Sequence, residues 1–244
     1  MLTVENISKR YRSNGKMKSA LHEVGLTIGE GEIVGLVGES GSGKSTLTRI
    51  IMQLEASDEG TVLFNGSPVT KSSQKAFYAA CQLVFQNASA ALNPSWTVRE
   101  ILLEPLRTMT GDRDAHIRHM LGKVQLTEAH LHRRPSELSG GERQRVNLLR
   151  SILVEPKLVV CDEIVSNLDR LIQKEIIDLL IELNRETGMA ILFIAHDLQA
   201  VTYMCERVYV MKSGEIVDHS VKVDGAFTFS HPYSKRLFGS MLGS

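Results

Sequence analysis

Residues 38–46 read Gly-Glu-Ser-Gly-Ser-Gly-Lys-Ser-Thr. They fit G-x-x-x-x-G-K-[ST], a loop whose backbone N–H groups wrap around phosphate. The flanks supply the context that the motif needs. The apolar run Ile33, Val34, Gly35, Leu36, Val37 leads into it and reads as a buried strand. Leu47, Ile50, Ile51 and Leu54 follow at i, i+3, i+4, i+7 spacing, which predicts a helix with one apolar face. Strand, glycine loop and helix N-terminus in succession make an anion site, because the loop turns its donors inward and the helix dipole adds positive potential. Gly38, Gly41 and Gly43 let the backbone approach phosphate without a Cβ in the way. Ser40, Ser42 and Thr46 belong to the same cradle, Lys44 reaches for the β- and γ-phosphates, and the Ser45 hydroxyl is placed to hold Mg²⁺.

The chain has 244 residues, enough for one large α/β domain or two small ones. With 43% hydrophobic and 23% charged residues, its composition is that of an ordinary globular protein. The formal net charge of zero argues against a broad nucleic-acid footprint, and no nucleic-acid partner is expected. Cys81, Cys161 and Cys205 are odd in number, far apart and form no CxxC, so neither a disulfide framework nor a zinc site is expected. The start, Met-Leu-Thr-Val-Glu, has no basic or apolar leader region, and no apolar run is long enough to span a bilayer. Any membrane role is therefore expected to run through a partner.

Residues 2–7, 26–28 and 33–37 read as strands, with turns at Asn14-Gly15 and at residues 29–31. Residues 60–66 and 83–85 read as two further strands, the second ending just before Gln86. From about 95 to 155 the pattern turns helical and rich in Arg, Glu and His, which predicts a helical insert in an α/β core. The apolar strand 158–161 closes on Asp162-Glu163, a helix follows from about 170 to 185, and 190–194 is again a buried strand. Residues 208–211 and 215–217 suggest a closing hairpin through Ser213-Gly214. The expected division is a core of residues 1–94 and 156–224, a helical subdomain at about 95–155, and a short tail at 225–244.

Two further stretches carry chemistry. Asp162 ends a buried strand, where a carboxylate can hold Mg²⁺, and Glu163 beside it can orient a water molecule and accept its proton. In Leu138-Ser139-Gly140-Gly141-Glu142-Arg143-Gln144-Arg145, a serine and two glycines open a helix and form a second anion cradle. One nucleotide hardly needs both cradles. The pattern fits a dimer in which each nucleotide lies between one chain's Lys44 loop and the other chain's Ser-Gly-Gly helix.

On these motifs the chain resembles the ATP-binding cassette (ABC) ATPases, the motor subunits of ABC transporters, over essentially its whole length. The resemblance implies an α/β P-loop NTPase fold: a RecA-like core, an N-terminal antiparallel β subdomain and an inserted α-helical subdomain. It implies that Tyr11 stacks on adenine and that Gln86 senses Mg²⁺ and links the core to the helical subdomain. It further implies that Asp162 serves Mg²⁺, Glu163 and His196 act on the γ-phosphate, and Ser166-Asn167-Leu168-Asp169 crosses the dimer seam. Ile164-Val165 after the glutamate depart from the Pro or Ala usual in the family, and Cys161 reads as a small buried hydrophobe. Glu163, His196 and Ser139 are all present, so hydrolysis of ATP is expected.

The stretch Phe85-Gln86-Asn-Ala-Ser-Ala-Ala-Leu-Asn93-Pro94 and His231-Pro232-Tyr233 in the tail resemble the peptide and nickel importer branch. Residues 154–158 and 163–169 are most similar to the second ATPase of nickel importers. The branch implies a heterodimer with a second ATPase subunit, two transmembrane permease subunits, an extracytoplasmic solute-binding protein and a place on the cytoplasmic face of the membrane. It implies nickel or a nickel–metallophore complex as cargo, with di- or oligopeptides as the alternative. No cysteine follows Cys205, so no iron–sulfur cluster is expected. His116 and His119, with His130 and His132 nearby, read as a solvated polar surface rather than a metal site. A soluble ABC ATPase of DNA repair or translation is the remote alternative; its long coiled coils or second cassette have no counterpart in this sequence.

Overall fold

The computed structural model describes residues 1–13, 16–85, 88–166 and 168–239. The two N-terminal strands expected from the pattern are ends of one long hairpin, β1 (Leu2–Ser13) and β2 (Lys16–Ile28), paired from Leu2↔Ile28 to Ser13↔Lys16. The expected turn at Asn14-Gly15 lies outside the described residues. Leu2, Val4, Ile7, Leu21, Val24, Leu26 and Ile28 are buried. The register shifts beside Asn6 and Glu23, which take left-handed φ values of 51° and 46° as bulges in an antiparallel ladder do. Residues 10–12 and 17–19 pair with their side chains largely in water, so no apolar alternation marks them as strand.

β3 (Ile33–Val37) is buried along its length and runs into the glycine loop, and α1 (Lys44–Ile51) follows it. The helix stops one turn earlier than its apolar spacing predicts. Gln53 takes φ 55°, the Leu54 N–H turns back to the Arg49 carbonyl at 2.8 Å, and Leu54 is left 56% exposed. β4 (Glu59–Phe64) and β5 (Ser67–Pro68) then return to the hairpin and complete a four-stranded antiparallel sheet, β2-β1-β4-β5.

The chain continues through α2 (Gln74–Ala80), β6 (Cys81–Val84), α3 (Ala88–Ala91), α4 (Val98–Leu103) and α5 (Arg113–Leu121). Three 3₁₀ turns, Gly122–Val124, Glu128–His132 and Pro135–Glu137, lead to α6 (Gly140–Ile152). β7 (Leu158–Asp162), α7 (Arg170–Thr187), β8 (Ala190–Ile194), α8 (Leu198–Met204), β9 (Arg207–Lys212) and β10 (Glu215–Val221) follow. The segment expected to be a short tail carries a further helix, α9 (Pro232–Gly239). Among the described residues no helix is long and apolar enough to cross a membrane.

The second sheet has the order β10-β9-β3-β8-β7-β6, parallel from β9 to β6, with β10 antiparallel at one edge. Its central strands are covered on both faces, which explains their continuous apolar runs. One face packs with α1 against the N-terminal sheet, through Leu36, Leu47, Ile51 and Leu192. The other packs on α6, α7 and α8, through Val159, Leu148, Leu180, Phe193 and Val201. Because β3, β8, β7 and β6 are parallel neighbours, their carboxyl ends lie side by side on one edge, where ligands of open α/β sheets bind.

Candidate active site

That edge carries the glycine loop after β3, Asp162 and Glu163 at the end of β7, and His196 after β8. The glycine loop leaves β3 at Gly38, where a Cβ would fall 2.2 Å from the Met211 carbonyl oxygen. Gly43, at φ 110°, would place one 2.8 Å from the Ala20 carbonyl oxygen. Only glycine fits either position. Over Gly41 the space is open, and Ser40 and Ser45 are exposed. Ser42 is 4% exposed, and its Oγ has no hydrogen-bond partner among the described residues. Lys44 is 6% exposed and curls back, donating from Nζ to the carbonyls of Gly38 at 2.7 Å and Glu39 at 3.1 Å. Burial pushes its pKa down, while Glu163 and Asp162 push it up. A buried orphan hydroxyl and a buried ammonium held only by carbonyls suit a phosphate group, which would satisfy both.

At the end of β7, burial raises the Asp162 pKa; Glu163 adds to this, and Lys44 and Arg49 oppose it. The four groups therefore share one electrostatic neighbourhood. Glu163 takes φ 51° and donates its N–H to the Ile194 carbonyl at 2.9 Å, which ties the end of β7 to the end of β8. Two residues on, His196 brings Nδ1 to 3.9 Å from Glu163 Oε2. The Ser45 hydroxyl and the Asp162 carboxylate are hard oxygen donors, the set that Mg²⁺ selects, so the residues present fit that ion. Gln86 and Asn167 lie outside the described residues. The strand leading to Gln86 is anchored by Asn147, whose Nδ2 donates to the Phe85 carbonyl at 3.2 Å.

Ser139, Gly140 and Gly141 lie beside the start of α7. Ser139 Oγ accepts from the Glu142 N–H at 3.2 Å, and Glu142 Oε2 accepts from the Ser139 N–H at 2.7 Å, a capping box for α6. Those bonds, with His130 Nε2 at 3.0 Å from Glu142 Oε1, hold the Glu142 carboxyl down to about 2. The sequence reading gave both glycines to anion binding. The structure adds a packing reason for one of them, since a Cβ on Gly141 would meet Ile172 Cγ2 at 2.9 Å. Asp169 caps α7, its Oδ1 accepting from the N–H groups of Leu171 at 3.1 Å and Ile172 at 3.0 Å. Tyr11 is 37% exposed, and its hydroxyl donates to Glu55 Oε1 at 2.6 Å. Around Tyr11, the residues Lys9, Arg49 and Glu55 form a cluster that the sequence does not mark, because these three are scattered and carry no motif. His116 Nε2 pairs with the Leu153 carbonyl at 2.9 Å, and no group of three or more His, Cys, Asp or Glu side chains gathers for a metal among the described residues.

Comparison with known proteins bears on the family and the fold. The ABC transporter family profile matches residues 21–166. The nickel import ATP-binding protein NikE of Rhodospirillum rubrum is 42% identical over 99% of this chain and 91% of its own length. Its namesake in Escherichia coli K12 is 41% identical over 99% of this chain and 94% of its own length. The cassette MJ0796, solved as a dimer in a post-hydrolysis state with ADP and Pi, superposes with a TM-score of 0.80 at 29% identity, over 91% of this chain and 98% of that one. The fold is also that of cbiO1 from Clostridium perfringens, with a TM-score of 0.80 at 24% identity over 98% of this chain and 91% of that one. Motif order, fold and identity across nearly the full length coincide, and the chain belongs to the ABC transporter family as an ATP-binding cassette ATPase.

Proposed function

We propose that this chain hydrolyses ATP at the carboxyl edge of its parallel sheet and drives the uptake of nickel ion or a nickel–metallophore complex. The observation that carries the hydrolytic reading is the convergence of Lys44, Asp162, Glu163 and His196 on that edge. The triphosphate lies along residues 38–46 and adenine lies on the Tyr11 ring. Lys44 Nζ exchanges the carbonyls of Gly38 and Glu39 for phosphate oxygens. Ser45, Asp162 and Gln86 would hold Mg²⁺, which would supply charge neutralisation at the phosphates. Glu163 orients the attacking water and takes its proton on a carboxylate oxygen, and His196 contacts the γ-phosphate. Ser139, Gly140, Gly141 and Asp169 complete the nucleotide site of a partner ATPase, an arrangement that the dimeric form of MJ0796 supports.

The partner is a second ATPase subunit, and the pair sits on the cytoplasmic face of the membrane beneath two permeases fed by a solute-binding protein. Residues 86–105 transmit the motion to the permeases. A groove of about 730 Å³ beside them supports this, with Tyr78, Leu83, Leu106 and Met109 on its walls and Phe85 49% exposed in it. The nickel cargo is supported by the relatives named for nickel import. A peptide cargo is the second reading, favoured by the resemblance of His231-Pro232-Tyr233 to peptide importers as well. In cells carrying Glu163→Gln, ATP turnover by the transporter is expected to fall by about a hundredfold or more. Uptake of radioactive nickel is expected to stop while labelled dipeptide uptake continues. Loss of dipeptide uptake alone establishes the second reading, and normal uptake of both sinks the importer assignment.

A further inference from the structure

The C-terminal helix reaches the phosphate loop. Tyr233, in the first turn of α9, is 5% exposed, and its hydroxyl accepts from the Glu39 N–H at 3.3 Å. The Glu39 carbonyl accepts from Lys44 Nζ at 3.1 Å. The second residue of the loop is thus held at both of its peptide groups, its N–H by the tail and its carbonyl by Lys44 and by the Ser42 N–H at 3.1 Å.

Several bonds fix the tyrosine itself. The Asp218 carboxylate on β10 accepts from the N–H groups of Ser230 at 3.0 Å and His231 at 2.8 Å. His231 Nδ1 accepts from the Tyr233 N–H at 3.1 Å. The Lys212 ammonium lies 4.9 Å from the Tyr233 ring centroid, and Tyr233 shares an apolar cluster with Phe229 and Phe238, whose tilted rings have centroids 4.4 Å apart. The hairpin that anchors the tail also grips the loop, because the Gly214 N–H donates to the Ser42 carbonyl at 2.8 Å. β9, β10 and α9 therefore press on the loop as one body. Burial raises the Tyr233 pKa, against the Glu39 N–H bond, which lowers it.

We propose that Tyr233 is a positioning residue of the nucleotide site: its hydroxyl holds the Glu39 peptide, keeps the loop preorganised for phosphate, and makes the C-terminal tail a determinant of ATP affinity. The inference rests on the nucleotide reading given above. Glycines at 38 and 41 flank this peptide and leave it free to rotate. Once nucleotide draws Lys44 away, the Ser42 N–H still holds the Glu39 carbonyl at 3.1 Å, while the Tyr233 hydroxyl holds the Glu39 N–H, and a tether in place before binding lowers the ordering cost.

The test is titration of the purified full chain, with Mg²⁺, using a fluorescent ATP analogue, together with hydrogen exchange at the Glu39 amide. Tyr233→Phe keeps the ring and removes the oxygen. It is expected to weaken binding by about three- to tenfold, the worth of one hydrogen bond, and to speed exchange at Glu39 while the thermal midpoint holds. Phe238→Ala loosens the aromatic packing and is expected to lower the midpoint while affinity stays at the wild-type level. Unchanged affinity and exchange in Tyr233→Phe overturn the proposal. So does an equal loss of affinity in both variants that follows the loss of stability. Lys44→Ala in the same titration separates the two claims: if it binds as wild type does, or wild type does not bind, the nucleotide reading itself fails.

Discussion

Glu163 sits at φ 51°, a left-handed backbone that a residue with a Cβ adopts only when its surroundings hold it there. Its N–H bond to Ile194 supplies that hold and aims the side chain toward His196. The sequence named Glu163, His196 and Lys44 because each follows a recognisable apolar strand or closes a glycine loop. It could not name Tyr233 as part of the site, since 194 residues separate it from Glu39 and only the fold brings them together. Glu142 carries a pH dependence of its own. Its folded carboxyl titrates near 2, below the unfolded value of 4.5, so the charged form is favoured by folding. That stability is complete above the unfolded value and is lost as pH falls from there toward 2. Glu142→Gln is expected to cost about 1 kcal/mol at neutral pH. The gap to wild type is expected to shrink as urea denaturation is repeated at pH values below 4.5. A gap that does not change with pH contradicts the role given to this carboxylate.

At the scale of elements, a start signal was easier to read than a stop or a short helix. Ser139 and Asp169 mark the starts of α6 and α7, and each side chain bonds the first-turn N–H groups as the capping pattern requires. α2 and α8, at seven residues each, show too few apolar positions to establish a period, and α9 hides among the aromatics of the tail. Gly140 and Gly141 look alike in sequence, and packing separates them. Gly141→Ala puts a methyl group into the β-branched Ile172 and is expected to cost about 1–3 kcal/mol in denaturant unfolding. Gly140→Ala meets Leu168 only at 3.8 Å and is expected to fold as wild type does. Equal stability of the two variants removes the close approach of α6 to α7 as the reason for the second glycine.

For the whole molecule, strand order sets the function. β3, β8 and β7 are adjacent in the sheet and parallel, so a loop at residue 38, a histidine at 196 and a glutamate at 163 meet on one edge. Ser139–Gly141 has Leu168 and Ile172 of its own chain as neighbours, and its proposed service to a second chain is open to direct test. In light scattering, Glu163→Gln with ATP and Mg²⁺ is expected to shift the protein from single chains to pairs, more strongly when the partner ATPase is present. Lys44→Ala is expected to stay single, and an ATP-independent mass for Glu163→Gln counts against the two-chain site. The sequence by itself determined the phosphate loop, the acidic strand end, the buried strands and the family, because each is written in contiguous residues whose spacing reflects local backbone geometry. Only the tertiary structure decided that the N-terminal strands are one bulged hairpin, that Leu54 lies outside its helix, that Gly141 yields to Ile172, and that the tail braces the loop. Those outcomes depend on contacts between residues far apart in the chain, and local spacing carries no record of which distant surfaces come together.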